Sequence, residues 1–296
     1  MSEEPRDIDL PAAFRGRLAS LDIVSRRPHD NPRIGGRRSH RKGTSIEFAD
    51  YRRYTPGDDY RQIDWNIDAR TGDLFVKVRE AEELLAVHIL IDCSASMDTG
   101  KSSKLDYAIN LAAALAYVAL SSGDTVSAAR FSTRIGDQAG PFSGLRDVTR
   151  MLEFLQGTRP EGGTSVVDSL REYAARRIPT GVAFMISDLL SPSAHRGLGM
   201  LSQRGYETVV LHVMDREFLS PDIDGETELV DCESGEKLIL HGDEDPVERY
   251  KSNLRRWLEQ VAAFCGRVGV RYMAIETDWP VEEVVLNRLR MKGVLS

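Results

Sequence analysis

The chain has 296 residues, of which 41% are hydrophobic and 29% charged, and its formal net charge is −7. These values are ordinary for a soluble globular protein of one or two domains, so they exclude a largely disordered chain. Acidic residues outnumber basic ones, so the overall field disfavours nucleic acid as a partner.

No segment of the sequence is typical of a membrane span or an export signal. The mostly apolar run 111–123 is shorter than the roughly 20 residues that a spanning helix needs. The N-terminus opens with acidic residues instead of a basic segment followed by an apolar one. Cys93, Cys232 and Cys265 form neither a CxxC pair nor an even set for a disulfide framework. We therefore expect a cytoplasmic protein without a membrane span.

Residues 1–83 are expected to form an N-terminal extension. Its segment 26–42, the basic arm, holds seven basic residues and one acid with no aromatic residue among them. We interpret this arm as a solvated segment or a protein contact, since stacking on nucleic acid needs aromatic residues. Contact with nucleic acid or an anionic membrane surface is the alternative. Segment 50–70 mixes aromatic and charged side chains around a TPGDD turn, as a packed extension or an interaction surface would.

Residues 84–296 alternate between strand-like and helical patterns. Continuous apolar runs such as LLAVHILI are typical of strands buried on both faces of a sheet. A β-hairpin is expected as an insertion at about 227–240, around Ser234-Gly235. Strand-like segments occupy 84–91, 125–131, 134–139, 181–187, 208–214 and 270–276, and helical patterns occupy 105–119, 145–155, 166–177, a long stretch from 245, and 281–291. The pattern predicts an α/β fold, with a doubly wound, mostly parallel sheet and helices on both faces.

Oxygen-bearing side chains follow the predicted strands. Asp92, Ser94 and Ser96 form a D-x-S-x-S motif after the first strand of the sheet, Thr164 lies in the glycine-rich loop EGGTS, and Asp188 ends the segment MISD. In open α/β sheets, ligands bind outside the carboxyl ends of the strands. Oxygen donors alone suit Mg²⁺ or Mn²⁺ rather than zinc. The alternative for D-x-S-x-S is a capped turn, in which aspartate and serine are also favoured.

The ordered set D-x-S-x-S, GGT and ISD resembles the metal-ion-dependent adhesion site (MIDAS) of the von Willebrand factor A family. The resemblance covers about residues 84–296, and it makes Asp92, Ser94, Ser96, Thr164 and Asp188 the metal ligands. It implies that the three hydroxyls bind Mg²⁺ directly, that the two aspartates act through water, and that a protein partner supplies an Asp or Glu carboxylate.

The upstream segment DYRRYTPGDDYRQIDWNIDAR, at 50–70, resembles the signature of the DUF58 family. That family combines this segment with a von Willebrand factor A-like domain. The resemblance implies a MoxR-type AAA+ ATPase as a working partner, in the assembly or maturation of other proteins.

The predicted function is a metal-dependent protein-interaction module with no catalytic residue. One alternative is a metal-dependent hydrolase or phosphatase that uses Asp92, although haloacid-dehalogenase-type phosphatases need D-x-D and residue 94 is serine. Another is a structural domain with a vestigial metal site. Cys93 has no basic partner in a motif and is interpreted as a buried strand-end cysteine. His88 and His212 lie within apolar strands and are interpreted as hydrogen-bonded core histidines.

Overall fold

The structure is a computed structural model that describes residues 5–26, 50–56, 58, 60, 63–78, 84–99, 103–191, 194–221, 226–230, 237–241 and 244–296. The chain divides into two compact units, of which one, the sheet unit, combines Met1–Arg27 with Leu85–Ser296 and the other, the small unit, is Pro28–Leu84. Residues 5–26 therefore group with the sheet unit. The basic arm lies outside the described residues except for Arg26.

One six-stranded sheet organises the larger unit. The strands of the chain are β1 Asp50–Arg53, β2 Phe75–Val78, β3 Ala86–Asp92, β4 Thr125–Phe131, β5 Ile135–Ser143, β6 Val182–Ser187, β7 Glu207–Met214, β8 Glu226–Val230, β9 Lys237–His241 and β10 Arg271–Glu276. The sheet has the order β10-β7-β6-β3-β4-β5, and only β5 runs antiparallel to its neighbour. This is the strand order of a doubly wound sheet, so the predicted mostly parallel fold is confirmed.

Helices cover both faces of this sheet. They are α1 Ala12–Leu18, α2 Trp65–Thr71, α3 Lys104–Ser121, α4 Val148–Gln156, α5 Val166–Ala174, α6 Ala194–Gln203, α7 Arg216–Leu219, α8 Glu244–Arg267, α9 Val281–Glu283 and α10 Leu289–Met291, with a π-helical segment Val284–Arg288 between the last two and 3₁₀ turns at Ala95–Asp98 and Leu145–Asp147. One apolar core joins the sheet to α1, α3, α4 and the C-terminal helices, and another joins it to α5, α6 and α8. Successive side chains of β3 point to opposite faces of the sheet, so Ile89 and Ile91 belong to the first core and Leu90 to the second.

The central helix α3 contains the predicted helical segment 105–119 and has a side-chain cap at its start. The Ser103 hydroxyl caps the helix by accepting a hydrogen bond from the backbone N–H of Asp106. Gly123, just after its end, has a φ of +84°, a conformation that glycine adopts without strain. The alanine-rich middle of the helix is buried against the sheet. None of the helices in the described ranges is both long and apolar enough to cross a membrane.

The remaining predicted elements differ mainly at their ends. The inserted hairpin is present, because β8 and β9 pair antiparallel, while its predicted turn at Ser234-Gly235 lies outside the described residues. The predicted helix 166–177 ends earlier, at Ala174. The antiparallel strand predicted near 134–139 continues to Ser143.

The small unit pairs β1 with β2 antiparallel, and α2 lies between them in sequence. Asp64 caps α2 by accepting a hydrogen bond from the Asn66 backbone N–H, and Gly72 ends it with a φ of +71°. Tyr60 and Trp65 are largely exposed, so these two aromatic side chains do not fit the packed-extension alternative for segment 50–70.

His88 is a buried, neutral histidine, as predicted. Its Nε2 lies 3.0 Å from the Pro179 carbonyl, which can only accept, so Nε2 carries the proton. Its Nδ1 therefore accepts the hydrogen bond from the Tyr173 hydroxyl, 2.8 Å away. Burial lowers the pKa of His88 to about 4. The histidine thus resists protonation in the folded protein.

His88 makes folding stability depend on pH. Because its folded pKa of about 4 lies below the ordinary 6.5, the unfolded chain takes up the proton first, and the contribution of His88 is lost as pH falls from 6.5 to 4. Urea unfolding of wild type and His88→Gln over this range should show a wild-type loss larger by on the order of 3 kcal/mol. Parallel losses in the two proteins would contradict the assignment.

Candidate metal centre

Two of the predicted site residues, Asp92 and Asp188, lie where the sheet reverses its strand order. Asp92 ends β3, Ser187 ends the adjacent parallel strand β6, and Asp188 follows it directly. Strand order runs outward in both directions from this pair, which makes the crevice at their carboxyl ends a topological switch point. The register of the two strands, with Ile91 opposite Ile186, brings both carboxylates to the same edge of the sheet.

Asp92 is fully buried and held on both carboxylate oxygens. Its Oδ1 accepts a hydrogen bond from the Ser94 backbone N–H at 3.0 Å, and its Oδ2 accepts one from the Ser187 hydroxyl at 2.6 Å. Burial, with the negative charge of Asp188 nearby, raises the pKa of Asp92 to about 7. The negative charge of Asp92 is therefore costly in the metal-free protein, and a cation would stabilise it.

The two serines of the motif face each other. The Ser94 and Ser96 hydroxyl oxygens are 3.1 Å apart, and both side chains are buried. Ser94 immediately precedes the 3₁₀ turn Ala95–Asp98, which folds the chain back after the strand. Asp92, Ser94 and Ser96 thus form one connected cluster of oxygen donors.

The glycine-rich loop 161–165 is hydrogen-bonded to the D-x-S-x-S loop. The Glu161 backbone N–H donates to the Cys93 carbonyl at 2.6 Å, and the Ala95 N–H donates to the Gly162 carbonyl at 2.8 Å. Gly162 takes a φ of +51°. Thr164, two residues further on, is half-buried in this loop. The backbone pairing places this loop beside the D-x-S-x-S loop.

Asp188 carries an ion pair that the sequence did not reveal. Its Oδ2 lies 2.6 Å from the Nζ of Lys104, the first residue of α3, and the two side chains are only 2% and 3% exposed. Its Oδ1 accepts a hydrogen bond from the Leu190 backbone N–H at 3.2 Å. The cluster therefore contains a buried ammonium group beside its two carboxylates.

Two further residues position Asp188. The Ser187 hydroxyl donates to Asp92 and accepts from the Leu189 backbone N–H at 2.9 Å, which fixes the turn after β6. Leu189 is buried with a φ of +53°, a strained conformation for a branched side chain. His212 Nε2 donates to the Asp188 carbonyl at 2.8 Å. Neither Ser187 nor His212 was among the predicted site residues.

His212 confirms its interpretation as a core histidine. Because Nε2 donates to a carbonyl, Nδ1 accepts the hydrogen bond from the Tyr272 hydroxyl at 2.7 Å. Burial lowers the pKa of His212 to about 4, so the ring is neutral at physiological pH. It supports the turn that holds Asp188 and brings no positive charge to it.

Arg6, near the N-terminus, contacts the loop that carries the two serines of the motif. Arg6 forms ion pairs with Asp98, at the end of that loop, and with Asp106 in α3, at 2.9 and 2.5 Å. Its Nε also donates to the Thr158 carbonyl at 3.2 Å. Arg6 thus joins three segments around the cluster.

The donor set fits a hard divalent cation. The residues predicted to bind the metal offer two carboxylates and three hydroxyls and no sulfur or imidazole. Within the described ranges no group of three or more His, Cys, Asp and Glu side chains could hold a metal ion. Oxygen donors with few carboxylates suit Mg²⁺ or Mn²⁺, which keep several waters. Burial raises the pKa of Cys93 to about 12, so its thiol stays protonated at neutral pH.

Similarity to known proteins extends over most of the chain. The uncharacterized proteins Rv1480 of Mycobacterium tuberculosis and Mb1516 of Mycobacterium bovis are each 29% identical to it over 98% of this chain and 93% of their own length. BatB from Bacteroides thetaiotaomicron, a conserved hypothetical protein, matches 71% of this chain and 98% of its own at 16% identity with a TM-score of 0.46. Proximal thread matrix protein 1 from the mussel byssus, solved with a zinc-occupied MIDAS motif, matches 44% and 36% at 15% identity with a TM-score of 0.36.

The family assignment comes from the sequence match. Residues 50–259, well over half of the chain, match the family described as "Protein of unknown function DUF58". This range includes the segment 50–70, the D-x-S-x-S motif and both strand-end carboxylates. The chain belongs to the DUF58 family.

Proposed function

We propose that this protein is a metal-dependent protein-interaction module. In this proposal, Mg²⁺ or Mn²⁺ is held by the five residues at the sheet edge and binds an acidic side chain of a protein partner. The residues are Asp92, Ser94, Ser96, Thr164 and Asp188. The observation that carries the proposal is the pair of buried carboxylates on adjacent strand ends, joined to two buried hydroxyls.

Electrostatics favour an anionic partner at such a centre. If the three hydroxyls contact the ion directly and the two aspartates act through water, no anionic ligand touches the ion, and Mg²⁺, which needs six oxygen ligands, keeps positions open for an incoming carboxylate. Once bound, the ion would supply Lewis acidity and an exchangeable position for an incoming carboxylate. The chain's own residues hold the ion and orient the edge of the site, while the acidic residue of the partner completes the ligand set.

The proposal contains no catalytic step. Both oxygens of Asp92 accept hydrogen bonds and its side chain is fully buried, which leaves it poorly placed as the nucleophile of a hydrolase. The resemblance of segment 50–70 to DUF58 proteins adds a MoxR-type AAA+ ATPase as the expected partner, acting with this module in the cytoplasm on the assembly or maturation of other proteins.

The experiment compares paired peptides that differ only at one central residue, Glu or Gln. A displayed library of such pairs is passed over immobilised protein in Mg²⁺ and again in EDTA. We expect retention of Glu peptides in Mg²⁺ and their loss in EDTA or on Ser96→Ala. The matched control Ser132→Ala changes a hydroxyl outside the proposed ligand set. Equal retention of Glu and Gln peptides, or retention that EDTA does not change, would refute the proposal that a partner carboxylate binds through the metal ion.

A further inference from the structure

We propose that Lys104 is an internal cation that occupies the metal centre in the metal-free protein and that a divalent ion must displace from Asp188. This inference rests on the proposed metal centre and concerns its regulation. The ammonium group of Lys104 competes with the divalent ion for Asp188, and the ion replaces it with the help of a partner carboxylate.

The Lys104–Asp188 ion pair is short and shielded from solvent. Lys104 Nζ and Asp188 Oδ2 are 2.6 Å apart, and both side chains are almost completely buried. Asp92, which is also fully buried, ends the parallel strand adjacent to the one that Asp188 follows. Two carboxylates buried together are costly unless a cation compensates them. The ammonium group of Lys104 therefore compensates buried negative charge, as a bound metal ion would.

The position of Lys104 in its helix gives a second, independent argument. It is the first residue of α3, where the aligned backbone dipoles place partial positive charge and where cations are disfavoured. A buried lysine at this end gains nothing from the helix. Its location is explained by the carboxylate that it faces.

The start of α3 is held in place, so displacement of the ammonium group would involve the side chain of Lys104 alone. Ser103 caps α3, and Arg6 ties Asp106 in the first turn of the helix to Asp98 in the D-x-S-x-S loop. The start of α3 is thus fixed relative to the cluster. The flexible four-carbon stem of lysine allows the ammonium group to swing away without moving the helix.

Competition of this kind lowers the affinity of the centre for divalent ions. An ion that binds must overcome the loss of the Lys104–Asp188 pair and tolerate a displaced positive charge nearby. A partner's carboxylate offsets this cost, both as a ligand and as a counter-charge. The centre would then bind metal and acidic partner together far better than either alone.

The test compares wild type, Lys104→Met and the control Lys251→Met, which removes a partly exposed lysine from α8. Mg²⁺ is titrated into each metal-free protein by calorimetry, and thermal unfolding is followed with and without Mg²⁺. We expect Lys104→Met to bind Mg²⁺ about tenfold or more tightly than wild type. Its metal-free form should unfold at a lower temperature than wild type, and Mg²⁺ should reverse this loss. Lys251→Met should match wild type.

The outcomes separate this inference from the proposed function. Equal Mg²⁺ affinity in wild type and Lys104→Met would overturn the role of Lys104 and leave the metal centre standing. Absence of Mg²⁺ binding from both proteins would overturn the metal centre and the inference together. If Lys104→Met does not fold without metal, Lys104→Gln, which keeps a hydrogen-bond donor for Asp188, carries the same expectation.

Discussion

Asp92→Asn is expected to abolish stabilisation by Mg²⁺ and to leave the metal-free protein more stable than wild type above pH 7. The amide keeps an oxygen that accepts from the Ser94 N–H, while it removes one of two buried negative charges. The folded pKa of Asp92 is about 7, above its ordinary 3.8, so its contribution is present at low pH and lost as pH rises through 7. We expect the variant to gain about 2–4 kcal/mol over wild type at pH 8.

Urea unfolding from pH 4 to pH 8, with EDTA or with Mg²⁺, measures this prediction. The advantage of Asp92→Asn should shrink as pH falls below 7 and be absent near pH 4. The control Asp137→Asn removes a carboxylate that is 80% exposed and should behave as wild type, including its response to Mg²⁺. A variant that Mg²⁺ still stabilises fully would remove Asp92 from the ligand set.

Gly181→Ala should destabilise the protein by about 3 kcal/mol or more. Gly181 precedes β6 where this strand begins to pair with β3. A Cβ at this position would lie 1.9 Å from the Ala86 carbonyl oxygen and 2.8 Å from its carbon, both in the backbone of β3. Relief therefore requires these two strands to separate locally, and they are the strands whose ends carry Asp92 and Asp188.

The matched control is Gly199→Ala in α6. A Cβ there meets no atom within 4 Å, and alanine favours a helix over glycine, so we expect unchanged or slightly raised stability. Thermal unfolding of both variants in EDTA measures the difference. Similar melting temperatures for the two alanine variants would contradict the close approach of β6 to β3.

Periodicity and residue type predicted the sheet because its strands are buried on both faces. Such strands read as unbroken apolar runs, and β6, predicted at 181–187, spans Val182–Ser187 with every residue buried. A serine just before a helical pattern is also a local signal for a helix start, and Ser103 caps α3. The end of α5 was not, because nothing in the residues after Ala174 breaks a helix until Pro179.

The acidic and hydroxyl residues of the site were predictable, while the residues that pair with Asp188 or hydrogen-bond to it were not. D-x-S-x-S after a strand is a local pattern, and parallel strand ends meet at one edge of a sheet by topology alone. Lys104 gives no such signal, since a lysine at a helix start usually lies in solvent. Its pairing with Asp188 joins residues 84 positions apart and depends on how α3 packs on the sheet. The same holds for the bond from His212 to the Asp188 carbonyl.

Calorimetric titration of Mg²⁺ into the metal-free protein, beside Lys104→Met and Asp92→Asn, shows whether the sheet edge binds a metal ion. We expect one Mg²⁺ per chain, with weak binding to wild type, tighter binding to Lys104→Met and none to Asp92→Asn. Absence of Mg²⁺ binding from both wild type and Lys104→Met would contradict the claim that the buried carboxylates at the ends of β3 and β6 form a metal centre.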